Sequence, residues 1–397
     1  MIGLAGVLAL WLTPAPPAPQ TPSERSSLEE LLERARARRA ELHARLLEEV
    51  QAVVARIDLE PLPASPQKRA LLASDLVALG TEATPILMRW SDPGVAPEDR
   101  DRFRSAVVIQ ALARMDTKPV TGELLDLLER GSQQGRSNAV TVLRESAEVE
   151  RVRPQLLRAF RQSTGQLRED VFQALVAKAH PDNQALLSEI LGGEDPRLID
   201  LALAIVTEVR SEAVAPTVRE LLAASERASK HADALLLYFR NLPALAGEDE
   251  IHAFLRLAED RSLSSEKRIE LVESMLGFKP RLNAALRAAL EPIVDDANRK
   301  VAEAALVLLA GLGDRPARRE LLAPYDGDVS RNESWAPAYE RRAEVLRRIA
   351  DFDDAIKDYK RALELSRDSE TSKPDTYIGL ARCYALKGRL KDASDYL

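Results

Sequence analysis

Four histidines, a single cysteine and a few adjacent carboxylates are the residues on which chemistry could rest in this chain. His43, His180, His231 and His252 lie far apart, with no HExxH and no i, i+4 pair to hold a metal on one helix face. Cys383 alone supports no internal disulfide, no multi-cysteine metal site and no CxxCH haem attachment. Set in an apolar helical stretch, it reads as a buried packing thiol. Asp295 with Asp296 and Asp353 with Asp354 stand at helix starts, where carboxylates oppose the helix dipole and need no general acid/base role. No GxSxG, Walker loop or GxGxxG is present, and the glycines sit singly at helix ends. These residues predict no catalytic set, no metal, no cofactor and no small-molecule substrate, and therefore a protein that is not an enzyme.

The elements that carry them are helices. Of the 397 residues, 30% are charged and only 4% aromatic, which suits long helices with solvated faces rather than aromatic-rich cores. The formal charge of -7 is spread over interleaved Arg and Glu, so no patch emerges that would release counterions from a nucleic-acid backbone. Nucleic acid is disfavoured as a partner. The chain also repeats itself. Arg136, Arg168, Lys230, Arg268 and Arg299 each open a helical octet that closes on Leu143, Leu175, Leu237, Met275 or Leu306, and Arg197 opens a similar run. The starts recur at roughly 30 to 40 residues, the period of stacked helical arrays.

Helix and turn alternate from Pro61 to Tyr325. Lys68 to Leu79 and Ala83 to Trp90 form a first pair, joined through Gly80, which permits a positive φ, and Pro85, tolerated in a first helical turn. Pro119, Pro154 and Pro216 are placed near the starts of later second helices. First helices are expected at Arg102 to Met115, Arg136 to Ala147, Leu167 to Ala179, Pro196 to Val209, Ser229 to Leu242, Ser264 to Phe278 and Asn298 to Leu312. With the first pair this makes about eight two-helix units. The run from Asp296 to Leu306 (an acid before Arg299, then small and apolar residues, closed by Gly311, Leu312, Gly313 and Asp314) resembles HEAT repeats. The resemblance implies an α-α superhelix, an armadillo-like solenoid over 61–325, in which an Asp near a helix start and a nearby Arg bridge successive units. Some HEAT-like proteins are lyases or DNA glycosylases, but a glycosylase should show a basic groove with aromatics, and sparse aromatics with an acidic balance disfavour that reading.

Three further segments complete the organisation. Ile2 to Leu12 is apolar and is followed by a Pro- and Ala-rich stretch, so 1–20 is read as a signal peptide or N-terminal apolar segment, which predicts export to the periplasm or cell envelope. A membrane association is expected only if that segment stays uncleaved. Residues 24–60 form one long helix, whose Leu28, Leu32, Ala35, Leu42, Leu46, Val53 and Ile57 keep an alternating three-four spacing interrupted by Arg39 and Glu49. Such a helix caps the first repeat or forms a coiled coil. Residues 326–335 gather Asp, Gly, Ser and Asn and read as a linker.

After it the repeat changes. Tyr339, Ala343, Leu346, Phe352, Ala355, Tyr359 and Ala362, with a second set at Tyr377, Ala381, Tyr384, Gly388, Leu390 and Ala393, resemble the tetratricopeptide repeat. The resemblance covers 336–397, about two units of which the second is incomplete; the displacement of 38 residues implies an insertion near Ser366 to Lys373. Ala350 stands where the family usually has Gly. By position, the resemblance places Glu340, Arg341, Glu344, Arg347 and Arg348, with Ile378, Arg382 and Leu386, on the partner-binding face. Relatives that clamp a peptide carboxylate use Lys and Asn where Glu340 and Glu344 stand, so that clamp is disfavoured. A mixed-charge peptide or another helical repeat suits Arg341 and Arg348 better, and a solvated face with helical ion pairs is the plain alternative. Because the sequence stops at Leu397, a turn short of a full second unit, a truncation, a continuation or a capping partner is expected there.

Together these readings predict an all-α, non-catalytic scaffold that engages other proteins or peptides. The alternatives are a regulatory adaptor of an attached or partner enzyme, and a structural envelope protein self-associating through Leu28 to Ile57.

Overall fold

The computed structural model describes residues 22–366 and 373–397, with side chains from Glu30 onward except that of Lys373. The expected signal segment and most of the expected insertion at 366–373 lie outside the described residues. The architecture is all-α, with helices packed in neighbouring pairs as in an α-α superhelical repeat protein and no strand among the described residues. The chain divides into two compact units, Met1–His180 and Pro181–Leu397.

The first unit holds α1 (Pro22–Leu59), α2 (Pro66–Val77), α3 (Thr84–Leu87), α4 (Asp99–Leu112), α5 (Thr121–Arg130), α6 (Gln133–Glu145), α7 (Val149–Gln162) and α8 (Gly165–Val176). Helices α2, α4, α6 and α8 stack in succession, with α5 on α7 alongside. Their inward faces carry Leu72, Val107, Val108, Val142, Leu143, Phe172 and Leu175, all buried. Among the described side chains of α1, those of its C-terminal part join this core: Val50, Val53, Val54 and Ile57 are buried, whereas Leu31, Leu32 and Leu42 are 61%, 48% and 61% exposed. Arg100 of α4 fixes that end by donating to the carbonyls of Ile57 at 3.3 Å and Glu60 at 2.5 Å, and Arg104 holds Asp58 at 2.8 Å.

The second unit holds α9 (Asn183–Leu191), α10 (Pro196–Glu208), α11 (Ala215–Ala223), α12 (Ser225–Lys230), α13 (Ala232–Asn241), α14 (Glu248–Glu259), α15 (Ser265–Ser274), α16 (Ala284–Val294), α17 (Arg299–Gly311), α18 (Arg315–Arg331), α19 (Ala336–Arg348), α20 (Phe352–Leu365), α21 (Lys373–Leu386) and α22 (Leu390–Ser394). Short polar side chains start these helices: Asp195, Ser264, Asn283, Asn298 and Asp314 each accept a backbone N–H of the following first turn. Left-handed residues end several of them. Arg210, Gly313, Ala350 and Gly388 have φ of 50°, 93°, 61° and 75°, and the next N–H in each case reaches back to a carbonyl five residues earlier. Charged pairs about one repeat apart tie the helices together: Arg219 to Glu250 at 2.7 Å, Arg240 to Glu270 at 3.0 Å, Arg268 to Asp296 at 2.5 Å and Arg318 to Asp351 at 2.6 Å.

The structure corrects the sequence reading in three places. Pro154 lies well inside α7 rather than in its first turn. The expected helix Ser229 to Leu242 is broken at His231, a buried residue whose Nδ1 lies 2.6 Å from Asp200 Oδ1; Leu235, Leu236, Tyr238 and Phe239 then fill the core while Leu237 points out, half-exposed. Residues 326–331, read as linker from composition, continue α18, because buried Val329 and half-buried Tyr325 anchor that turn and Arg331 bonds the Gly327 carbonyl at 3.0 Å. Tertiary packing there overrides the turn propensity of Asp, Gly and Ser.

Candidate protein-interaction surface

Helices α19 to α22 share one core with the helices before them. Val307 of α17 and Leu321 and Leu322 of α18 belong to the same buried cluster as Ala343, Leu346, Ile349, Ala355, Tyr359, Leu380, Cys383, Tyr384 and Ala393. Alanines let α19 and α20 approach closely, and a glycine does the same for α20 and α21: a Cβ on Gly379 would lie 2.5 Å from Tyr359 Cζ. Cys383 is fully buried, and that burial pushes its thiol up to about 11, so it is a packing residue rather than a nucleophile.

The polar residues of α19 are engaged within the fold. Arg342 forms a two-pronged pair with the buried Asp358, at 2.7 and 2.8 Å, and also donates to Asp326 at 3.0 Å. Glu344 accepts from Arg347 at 2.9 Å and from the Tyr359 hydroxyl at 2.9 Å. Burial works against its charge, but those two donors outweigh burial and hold the carboxyl below the usual range. The Tyr359 hydroxyl is in turn pushed well above its ordinary value, by burial first and then by the Glu344 charge. Glu340 accepts from Thr376 of α21. Arg348 points back to α17 and α15, donating to Glu303 at 2.7 Å and Glu273 at 2.6 Å.

Among the residues placed on the partner-binding face, then, Glu340, Glu344, Arg347 and Arg348 lie in internal networks. Arg341 is half-exposed, with its guanidinium 4.6 Å from the ring centre of Trp335, itself 44% exposed. On the neighbouring α21, Ile378, Arg382 and Leu386 form one exposed stripe, with Ile378 and Leu386 38% and 59% exposed. Trp335 escaped the sequence reading because it sits inside the polar segment taken as linker. The only signal for it was an aromatic residue immediately before the Ala336, Pro337 helix start.

This geometry (paired helices with small residues at the crossings and a shared core) defines a helical-repeat segment. Residues 336–397 match the tetratricopeptide repeat family. No curated protein matches the chain. Tetratricopeptide repeats mediate protein–protein interaction, and that is the class of activity this segment supports.

Proposed function

We propose that the protein is a non-catalytic scaffold that recognises other proteins through the tetratricopeptide segment. The observation that carries this reading is the contrast between Glu340, Glu344, Arg347 and Arg348 of α19, engaged inside the fold, and α21, whose Ile378, Arg382 and Leu386 present apolar and cationic groups to solvent, with Trp335 and Arg341 exposed at the start of the segment. Tryptophan and arginine are the residues enriched in interaction hot spots, and Trp335 and Arg341 lie against each other beside the segment's start. The partner this stripe suits is a helical or extended segment with apolar residues and a carboxylate for Arg382.

The upstream helices form, in this proposal, a HEAT-like array that supports the segment. The Arg268–Asp296 pair supports that part, because it joins an arginine of one first helix to the Asp preceding the next. Export is the remaining part, supported by the apolar run Ile2 to Leu12; N-terminal sequencing of the mature protein tests it. The test of the main reading is affinity capture with the full chain against an Ile378→Glu, Leu386→Glu double variant. The account expects the variant to lose the partners; equal recovery by both would refute it.

A further inference from the structure

Helix α4 presents one stripe of residues to two adjoining clefts of the first unit. Arg102, Ala106, Gln110, Ala113 and Arg114 recur at three-four spacing and so share a face of the helix. Near the N-terminal end of α4, a cleft of about 440 Å³ has an apolar wall of Leu62, Pro63 and Phe103. It meets a second cleft, of about 580 Å³, at Arg69 and Ala106, which line both. The second runs on to Arg114 and to Arg144 of α6. Four arginines thus line the pair of clefts against two acids, Asp99 and Glu145, and each acid already has a partner, Arg102 at 3.8 Å and Arg144 at 3.0 Å. Arg114 makes one long bond, 3.4 Å to Ser74 Oγ, and neither it nor Arg69 has an ion-pair partner among the described residues. Arg69 and Gln110 also each bury a polar atom, Nε and Oε1, with no hydrogen-bond partner among the described residues. Neither side chain has its full set of bonds, so both gain by turning to a ligand in the cleft.

We infer that these clefts hold an extended acidic segment of a partner protein, with an apolar residue at the Leu62 end and carboxylates toward Arg114. The 14 residues of α4 make a floor about 21 Å long, which an extended chain covers in about six residues. Arg102 and Arg114 stand about 18 Å apart along the axis, so they cannot close on one small anion. Successive side chains of a peptide reach both, and its backbone brings a donor for Gln110 and an acceptor for Arg69. A nucleic-acid strand suits the site less: Asp99 and Glu145 stand in its path, and Phe103, the one aromatic ring lining the clefts, is buried and offers no face to a base. The site belongs to the first unit and is separate from the stripe on α21 in the second.

Random heptapeptides displayed on phage test this, selected against the full chain carrying Ile378→Glu and Leu386→Glu, which removes the other candidate surface. The selected peptides carry several acids and an apolar residue to one side of them. Their affinity as labelled synthetic peptides, read by fluorescence anisotropy, weakens with added salt and falls about tenfold for Arg69→Met and for Arg114→Glu. Arg114→Lys keeps most of it. Arg114 is exposed and weakly bonded, so its variants retain the helix content seen by circular dichroism even where Arg69→Met unfolds. A selection without acidic peptides overturns the proposal, as do peptides whose affinity Arg114→Glu leaves unchanged. Displacement of the peptide by inorganic phosphate or by a single-stranded oligonucleotide at equal concentration overturns it too.

Discussion

Arg348 of α19 donates to Glu303 of α17 across the start of the tetratricopeptide segment, at 2.7 Å, and its second arm reaches Glu273 of α15 at 2.6 Å. Burial lowers the tendency of this guanidinium to stay charged, but the two carboxylates more than compensate and raise its affinity for the proton. The segment is thus bound to the preceding helices by charge as well as by the shared core of Leu321, Leu322 and Leu346. Arg348→Ala leaves two carboxylates facing each other without their cation and is expected to cost about 1–2 kcal/mol, discounted for partial exposure. Arg348→Lys recovers little of it, since one ammonium does not span both acids. Urea unfolding of the full chain checks both; an unchanged midpoint for Arg348→Ala would mean the pair contributes nothing.

Ala350 closes α19 at φ 61°, the conformation Gly388 adopts after α21 at 75°. A side chain in this region costs roughly 1 kcal/mol, partly offset because glycine has more freedom to lose on folding. Ala350→Gly is expected to stabilise the protein by about 0.5 kcal/mol, seen as a higher melting temperature. Gly388→Ala is expected to lower it.

Gly379 meets the Tyr359 ring so closely that a methyl group has no room. Gly379→Ala forces α20 and α21 apart and should cost about 1–3 kcal/mol despite the better helix propensity of alanine. Combined with Tyr359→Leu, the loss should be smaller than the sum of the two single losses, because one clash is relieved. Additive losses would show that the two residues do not press on each other.

Acid should weaken the second unit through Asp296. Its carboxyl is held below the ordinary range by Arg268 first and the Asn298 N–H second. A carboxylate with a lowered folded-state pKa adds stability that is fully present above its unfolded value of about 4 and is lost as pH falls through the lower folded value. Unfolding free energy measured from pH 6 downward should therefore fall below about pH 4, and Asp296→Asn should flatten that fall while lowering stability at neutral pH.

Much of the helix order was legible because local rules set it. The starts expected at Pro196 and Asn298 fall where α10 begins and α17 is capped, Gly80 and Gly313 turn the chain, and the apolar spacing around Leu143 and Leu175 follows the buried face. The resemblance marks the acid before Arg299 as a bridging residue, but not its partner Arg268, one repeat earlier. What was not legible depends on neighbours distant in sequence. Nothing local distinguishes Arg348, directed at Glu303 and Glu273, from Arg341, directed at Trp335. The break at His231 depends on Asp200, and the docking of the C-terminal end of α1 depends on Arg100 and Arg104 of α4.

The measurement that tests the central claim most directly is a hydrogen-exchange footprint of the full chain with and without a captured partner. Recognition through the tetratricopeptide segment predicts slowed exchange in α21 and around Trp335 to Arg341, with α10 to α14 unchanged. Slowed exchange confined to helices outside 335–397, with α21 unaffected, would contradict it.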